Sequence, residues 1–189
     1  RGAEEVELQR LERYETDALT DLLIEHIRGQ AQGDAPFFAT LSVQPPHDPY
    51  VAPPEAMGRH RPGRIELRAN VPPVTRIVER ARRELAGYYA MIENLDVNLG
   101  RVVSALREER LYDDTHIVFF SDHGDMHGSH GQFRKTAPWE ESIRVPCVVG
   151  GGLRYEMKSG TRSDAPINHV DMGPTSLGLC GIEVPDWMP

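Results

Sequence analysis

The sequence predicts an α/β fold in which helices flank a mostly parallel sheet. Three short apolar runs, residues 37–43, 116–121 and 145–149, are rich in β-branched or aromatic side chains, and the first two each follow a stretch with helical spacing. Strands that alternate with helices are typical of layered α/β domains. With 189 residues, of which 39% are apolar, the chain is long enough for one domain, residues 1–189, with a sizeable core.

The first predicted helix covers residues 16–28. Its apolar residues recur at helical spacing, Thr16 and Asp17 stand where a cap is needed, and glycines follow its end. Residues 37–43 come next and are short, aromatic and β-branched, with prolines on both sides. This pattern predicts a buried strand.

A long proline-rich loop is predicted for residues 44–74. Eight of the chain's fifteen prolines lie there. Because proline removes a backbone donor and fixes φ, we expect neither a helix nor a central strand in this segment. Loops of this length are commonly lids or binding segments, and His47 stands near its start.

The clearest periodic pattern predicts one amphipathic helix over residues 74–110. Its apolar residues alternate steps of three and four along the chain: Leu85, Tyr88, Ile92, Leu95, Leu99, Val102 and Leu106. A turn at Asp113-Asp114 follows the helix. Residues 116–121 then form the second predicted buried strand.

The rest of the chain is predicted to hold shorter elements. A loop rich in glycine and histidine covers residues 123–138, a helical turn covers 139–143 and a third strand covers 145–149. Asp171 is predicted to cap a last helix that ends near residue 179, with Pro174 tolerated in its first turn.

A carboxylate and an imidazole, Asp122 and His123, directly follow the second predicted strand. Open α/β sheets bind ligands outside the carboxyl ends of their strands. These two donor types suit Ca²⁺, Mg²⁺ or Mn²⁺ completed by further oxygen ligands. The residues alone fit an alternative equally well, in which Asp122 caps the following turn and His123 is merely exposed.

Three more residues are candidates for acting on an oxyanion. Lys135 and His130 lie in the same predicted loop, where an ammonium group and an imidazole could hold the oxygens of an anion. His47 could protonate a leaving oxygen if residues 37–43 and 116–121 are parallel neighbours. The local sequence by itself favours the alternatives, a solvated lysine and an ordinary loop histidine.

Taken together, these segments resemble the sulfatase family of the alkaline-phosphatase-like superfamily. The matching stretches occur in family order along most of the chain: Pro36-Phe37-Phe38 through Pro45-Pro46-His47-Asp48-Pro49, Tyr88 to Leu99, Ser121 to Gly131 with Lys135, Glu140 to Pro146, and Asp171 to Thr175. The resemblance implies the alkaline-phosphatase-like fold and the hydrolysis of sulfate esters.

The resemblance also implies a role for five residues. Asp122 and His123 match metal ligands of the family, with Ca²⁺ as the expected ion and Mg²⁺ or Mn²⁺ as alternatives. Lys135 matches the lysine that contacts the sulfate. His47 matches a histidine of the substrate pocket near the leaving group. His130 matches the histidine of the family's GxHG stretch, for which we expect a substrate-binding role.

The chain departs from the family pattern in three ways. His127 stands where relatives commonly have an apolar residue, and we assign it no role. Neither a CxPSR nor an SxPSR motif, from which the family makes its formylglycine nucleophile, is present, and no paired Asp completes the metal site. Cys147 and Cys180 lack the neighbours of that motif and are predicted to be buried thiols. We therefore expect an internal piece of a sulfatase, without the N-terminal nucleophile and the C-terminal domain, that is inactive alone.

The predicted function is a metal-dependent sulfuric ester hydrolase that acts on a sulfated small molecule or glycan. Two alternatives stay open. One is a phosphonate monoester or phosphodiester hydrolase of the same superfamily, and the other is a non-catalytic binding module that keeps the fold.

The composition argues against nucleic acid as a partner and against a membrane-spanning segment. A net charge of −8 without a dense basic run makes nucleic acid a poor candidate partner. No apolar run approaches the roughly 20 residues that cross a bilayer. The first residues, Arg1 to Glu5, do not resemble a signal peptide. The compartment, the oligomeric state and the identity of the substrate stay open.

Overall fold

The computed structural model describes residues 13–152 and 160–188. The chain divides into two units, and each is described by itself. The first consists of Arg1–Leu111 with Met126–Arg134, and the second of Tyr112–Asp125 with Lys135–Pro189. Over the described ranges, none of the helices combines the length and the apolar character that a membrane span requires.

The first unit is built on one long helix. Helix α1 covers Glu15–Gln30, α2 covers Pro54–Arg59 and α3 covers Thr75–Glu108, and both shorter helices pack against α3. The buried face of α3 follows the predicted periodicity and is rich in small side chains: Ala81, Leu85, Ala86, Gly87, Ala90, Met91, Asn98, Val102, Ala105 and Leu106. The structure therefore confirms the predicted helices 16–28 and 74–110 to within two residues at each end.

Directional polar contacts fix how α1 lies on α3. Asp17 of α1 accepts hydrogen bonds from the side-chain amides of Asn94 (3.0 Å) and Asn98 (2.7 Å). Arg101 forms an ion pair with Asp21 one turn further along α1. The hydrogen bond from Arg101 holds the pKa of the Asp21 carboxyl below its ordinary value, and the charge of Arg13 adds to this effect. Hydrogen bonds depend on direction as well as on distance, so these contacts select one register of α1 against α3.

The prediction that residues 44–74 contain no helix is wrong. Helix α2 lies inside this segment, and a single 3₁₀ turn follows at Pro62–Arg64. Pro53 and Pro54 occupy the N-cap and the first position of α2. Proline is tolerated there because the first amides of a helix have no intrahelical partner in any case. Prolines at the start of α2 are therefore compatible with the helix, and the proline content of the segment did not exclude one.

The predicted buried strand at residues 37–43 does not form. Over the described residues this segment is irregular and largely exposed, and 70% of Phe38 is accessible. Phe37 instead sets its ring edge-on to His26 at a centroid distance of 5.8 Å. A strand needs a neighbour to pair its backbone groups, and none of the described residues supplies one here.

The second unit carries a two-stranded sheet. Strand β1, His116–Phe120, pairs in antiparallel fashion with β2, Cys147–Gly151, so that Phe120 lies opposite Cys147. A mostly parallel sheet is therefore not confirmed. The segment between the strands holds a 3₁₀ turn at Ser129–Gly131 and one short α-helix, α4, Glu140–Ile143. Parallel neighbours need a crossover of a dozen or more residues, usually a longer helix.

The strands of the second unit are less buried than predicted. Phe120 and Val148 expose 47% and 58% of their surface. The prediction of buried thiols is also wrong, because Cys180 is exposed and Cys147 is only partly covered. Two strands cannot cover each other's faces, so an apolar run alone did not guarantee burial.

Helix α5, Met172–Leu179, confirms the last predicted helix, but its predicted cap is wrong. Asp171 makes no side-chain cap to α5. Its carboxylate accepts a hydrogen bond from the backbone amide of Asn168, and the Asn168 side chain accepts one from the amide of His169, both at 2.6 Å. This reciprocal pair closes the 3₁₀ turn His169–Asp171 that precedes α5.

The close approach of α3 and the Tyr50 backbone generates a stability prediction. A Cβ at Gly87 would lie 2.2 Å from the carbonyl oxygen of Tyr50, whereas a Cβ at Gly100 of the same helix would meet nothing within 4 Å. We expect Gly87→Ala to lower the free energy of unfolding by about 1–3 kcal/mol through overpacking. Gly100→Ala should raise it by up to about 1 kcal/mol through helix propensity.

Urea unfolding of the two variants measures both effects. The two substitutions make the same chemical change in one helix, so each is the control for the other. Equal midpoint shifts in the same direction would contradict the packing assigned to Gly87.

Candidate active site

Asp122 and His123 lie together just beyond β1, in the second unit. The Asp122 Oδ1 accepts a hydrogen bond from the backbone amide of His123 at 2.9 Å, and its Oδ2 lies 3.4 Å from His123 Nε2. The Asp122 side chain is 82% exposed and that of His123 is 33% exposed. A carboxylate oxygen and an imidazole nitrogen are thus placed side by side at the surface of this unit.

Backbone contacts orient the His123 ring. Its Nδ1 lies 2.9 Å from the carbonyl oxygen of Gly124. Because a carbonyl oxygen only accepts, this hydrogen bond requires the proton on Nδ1. The neutral ring therefore carries its lone pair on Nε2, the nitrogen that stands beside Asp122, and this is the tautomer that binds a metal through Nε2.

The segment after His123 is held against α4. The amide of Gly124 donates to the carbonyl oxygen of Ser142 at 2.7 Å. A Cβ at Gly124 would lie 2.1 Å from the carbonyl oxygen of Glu141, so only glycine fits this approach. The sequence showed the glycine, but the element it packs against is eighteen residues away along the chain.

His169 is a residue that sequence reasoning missed. Its Nε2 donates to the carbonyl oxygen of Ser121 at 2.9 Å, directly before Asp122. Its ring also lies 6.4 Å from that of Phe120, measured between centroids. His169 thus holds the end of β1, and no spacing in the sequence connects the two segments.

A divalent cation fits the Asp122–His123 pair in part. The two donors are of the types that bind Ca²⁺ or Mn²⁺, and they already face each other. Over residues 13–152 and 160–188, however, no group of three or more His, Cys, Asp and Glu side chains is arranged to hold a metal. The pair would therefore offer a cation two ligands, and a full shell would need further donors.

Lys135 belongs to the same unit as Asp122 and His123 and is half-buried. Its carbonyl oxygen accepts a hydrogen bond from the hydroxyl of Thr136. Both Thr136 and the residue before Lys135, Arg134, have positive φ values, of 72° and 71°. Left-handed backbone at non-glycine residues costs roughly 1–3 kcal/mol each and is concentrated at functional loops, so this stretch has the strain expected of such a loop.

His47 belongs to the first unit, where its own neighbour in sequence holds it. Its Nδ1 lies 2.9 Å from the carbonyl oxygen and 3.2 Å from Oδ1 of Asp48. Both partners are acceptors, so the ring is held as the Nδ1–H tautomer with Nε2 as the other functional nitrogen. The side chain is 45% exposed, which leaves His47 accessible to a ligand.

His130 also lies in the first unit and is exposed. Its backbone is left-handed, with φ of 53°, and its amide donates to the carbonyl oxygen of Asn70 at 2.9 Å. The Asn70 amide lies 3.2 Å from His130 Nε2, the ring nitrogen able to accept from it. Asn70 therefore orients both the backbone and the ring of His130.

His127, to which the sequence assigned no role, is part of the core of the first unit. It is 2% exposed. Its ring lies 4.5 Å from that of Tyr88 and 5.2 Å from that of Tyr50, measured between centroids. Aromatic packing thus accounts for a histidine in this buried position.

The predicted site residues are distributed over the two units. Asp122 and His123 are in contact, and Lys135 shares their unit. His47 and His130 belong to the other unit. The prediction that His47 and Asp122 follow parallel neighbouring strands is wrong, because residues 37–43 form no strand.

Comparison with known proteins gives one family. The sulfatase family model matches residues 3–182. An ulvan-active sulfatase of Formosa agariphila is 34% identical over 92% of this chain, and the choline-sulfatase of Rhizobium meliloti is 32% identical over 82%. The alignments cover 34% and 33% of those two relatives, so the chain spans about a third of the length of the curated relatives it matches.

A solved structure of similar fold is a phosphonate monoester hydrolase from Silicibacter pomeroyi. It superposes with a TM-score of 0.80 and 27% identity, over 92% of this chain and 39% of its own. A putative sulfatase from Bacteroides fragilis superposes with a TM-score of 0.69 and 30% identity, over 74% of this chain and 31% of its own. The fold is therefore that of the alkaline-phosphatase-like sulfatases, and with a family model that matches nearly its whole length, the chain belongs to the sulfatase family.

Proposed function

We propose that the protein at its full natural length hydrolyses sulfate esters with the help of a divalent cation, and that this chain contributes five residues to the reaction. The observation that carries the proposal is the Asp122–His123 pair, whose carboxylate and Nε2 stand 3.4 Å apart with the ring held in the metal-binding tautomer. The family match supports it. Ca²⁺ is the ion we expect, with Mg²⁺ or Mn²⁺ as alternatives.

Each residue has a chemical task in this proposal. Asp122 and His123 are metal ligands, and the bound cation supplies positive charge to the sulfate oxygens. Lys135 donates to the same oxygens and balances the charge that grows on them. His47 protonates the leaving alcohol through Nε2, and His130 binds the substrate. A formylglycine nucleophile, which the family resemblance implies, has to come from outside these 189 residues, because they contain neither motif that yields it.

The substrate we propose is a sulfate ester carried by a glycan or a small molecule. The relatives support both classes, since one is named for ulvan and the other for choline. A net charge of −8 repels a polyanion at long range. Recognition of the sulfate group therefore rests on local donors such as Lys135.

A second candidate function is phosphonate monoester hydrolysis. The superposition on a phosphonate monoester hydrolase at a TM-score of 0.80 favours it. A phosphonate monoester, like a sulfate monoester, is a monoanion with a tetrahedral centre, so both can use the same cation and lysine. Because these two relatives are sulfatases, sulfate ester hydrolysis stays our first proposal.

The first prediction concerns metal affinity. We expect Asp122→Ala and His123→Ala each to weaken Ca²⁺ or Mn²⁺ binding at least about 10–100-fold, the loss that supporting residues of a metal site alone can cause. Isothermal titration of the full-length protein measures it. Asp164→Ala is the matched control, because the Asp164 side chain lies in the same unit and is 93% exposed. Unchanged affinity in both site variants would favour a non-catalytic module that makes no use of the pair.

The second prediction concerns Lys135. Removing a donor aimed at charge that develops in the transition state typically costs about 10²–10³-fold in rate. We expect a loss of that size in kcat/KM for 4-nitrophenyl sulfate in Lys135→Ala. Arg162→Ala, which removes an 80% exposed cation of the same unit, should change the rate by less than about twofold. A Lys135→Ala enzyme as active as this control would remove the lysine from the mechanism.

A further inference from the structure

Asp48 occupies a shared position between a histidine and an arginine. Its Oδ1 lies 3.2 Å from His47 Nδ1 and 3.3 Å from Nε of Arg134. One carboxylate oxygen thus contacts both groups, and the His47 ring, whose Nδ1 also hydrogen-bonds to the Asp48 backbone carbonyl, lies against a carboxylate that Arg134 holds in place. Functional side chains are held in a productive geometry by supporting contacts of this kind.

Arg134 is fixed by three groups of the first unit. Besides Asp48, its Nη1 donates to the hydroxyl of Tyr50 at 2.8 Å and to Oε2 of Glu84 at 3.2 Å. Its guanidinium carbon also lies 5.2 Å from the centroid of the Tyr50 ring. The backbone carbonyl of Arg134 accepts a hydrogen bond from the amide of Met126 at 2.8 Å, so both ends of the residue are tied down.

The polar contacts of Arg134 extend to helix α3 through Glu84. Glu84 of α3 is only 16% exposed, and its other oxygen accepts from Nε of Arg80 at 2.8 Å. The Arg80 guanidinium in turn stands 3.8 Å from the centre of the Phe133 ring. A chain of paired charges therefore links α3 to the loop of His47. Partly buried charges that are paired on both sides resist displacement more than an isolated surface pair does.

We propose that Asp48 and Arg134 are positioning residues for His47: Arg134 fixes the carboxylate of Asp48, and Asp48 keeps the Nδ1 proton of His47 in place so that Nε2 delivers its proton to the leaving oxygen. The inference rests on the proposed role of His47 in sulfate ester hydrolysis. It adds two residues that no family motif and no comparison assigns.

The proton balance of the step is simple. The oxygen of the nucleophile bonds to sulfur as the bond between sulfur and the departing oxygen breaks, and the His47 imidazolium gives its Nε2 proton to that departing oxygen. The neutral ring that remains carries its proton on Nδ1, the tautomer that both Asp48 acceptors require. Asp48 and Arg134 keep their own charge states throughout.

Leaving-group dependence separates this role from a general structural one. Protonation matters for a poor leaving group such as phenol and little for a good one such as 4-nitrophenol, because a stable anion needs no proton to depart. The experiment measures kcat/KM of the full-length protein for phenyl sulfate and 4-nitrophenyl sulfate. The ratio of the two values does not depend on the fraction of correctly folded enzyme, so partial misfolding of a variant does not change it.

Four variants are compared by this ratio. His47→Gln reports the role of the histidine itself, while Asp48→Ala and Arg134→Gln report the two positioning residues. Arg28→Gln is the matched control, because Arg28 also pairs with two carboxylates of the first unit, Glu108 at 3.4 Å and Glu109 at 3.8 Å.

We expect His47→Gln to lose roughly 10²-fold or more on phenyl sulfate relative to 4-nitrophenyl sulfate, in line with the usual contribution of a general acid. Asp48→Ala and Arg134→Gln should show the same selectivity at roughly 10-fold, and Arg28→Gln none. A selective His47→Gln beside unselective Asp48→Ala and Arg134→Gln would overturn the inference and leave the proposed function intact. An unselective His47→Gln would overturn the proposed role of His47 itself, and the inference with it.

Discussion

The first unit depends on the absence of a side chain at Gly87 of α3. The carbonyl of Tyr50 approaches the helix there so closely that a methyl group would lie 2.2 Å from it. That approach places the Tyr50 ring against Tyr88 and His127, and its hydroxyl against Arg134. The loop that carries His47 is therefore positioned by packing on the helix rather than by a sheet, and the contacts of Asp48 follow from that position.

Backbone contacts orient the Asp122–His123 pair in the second unit. Gly124 packs on α4, His169 holds the end of β1, and the carbonyl of Gly124 sets the tautomer of His123. The carboxylate of Asp122 stays exposed to solvent beside these contacts. An orientation fixed by backbone groups leaves the side-chain donors available, which is what a cation site requires.

The sequence predicted those structural features whose physical cause lies within one segment, and it missed features that depend on a second segment. The 34 residues of α3 were recognisable because the alternation of three and four steps lies within the helix itself. The strand predicted at residues 37–43 does not form, because a strand depends on a neighbouring segment for its backbone hydrogen bonds. The predicted cap of α5 was wrong because the carboxylate of Asp171 closes the preceding turn instead. Among the candidate site residues, Asp122 and His123 could be identified because they are adjacent in sequence. Arg134 contacts Asp48 across 86 positions of the chain, a link that no spacing rule reveals.

We propose that the chemistry served by this chain is transfer of a sulfuryl group. The most direct measurement is the ratio of kcat/KM for 4-nitrophenyl sulfate to that for 4-nitrophenyl phenylphosphonate, determined on the full-length protein with Ca²⁺ or Mn²⁺ present. The two substrates share a leaving group, so the ratio reports the central atom alone. The account predicts that the sulfate ester is the better substrate, and a clear preference for the phosphonate ester would contradict it.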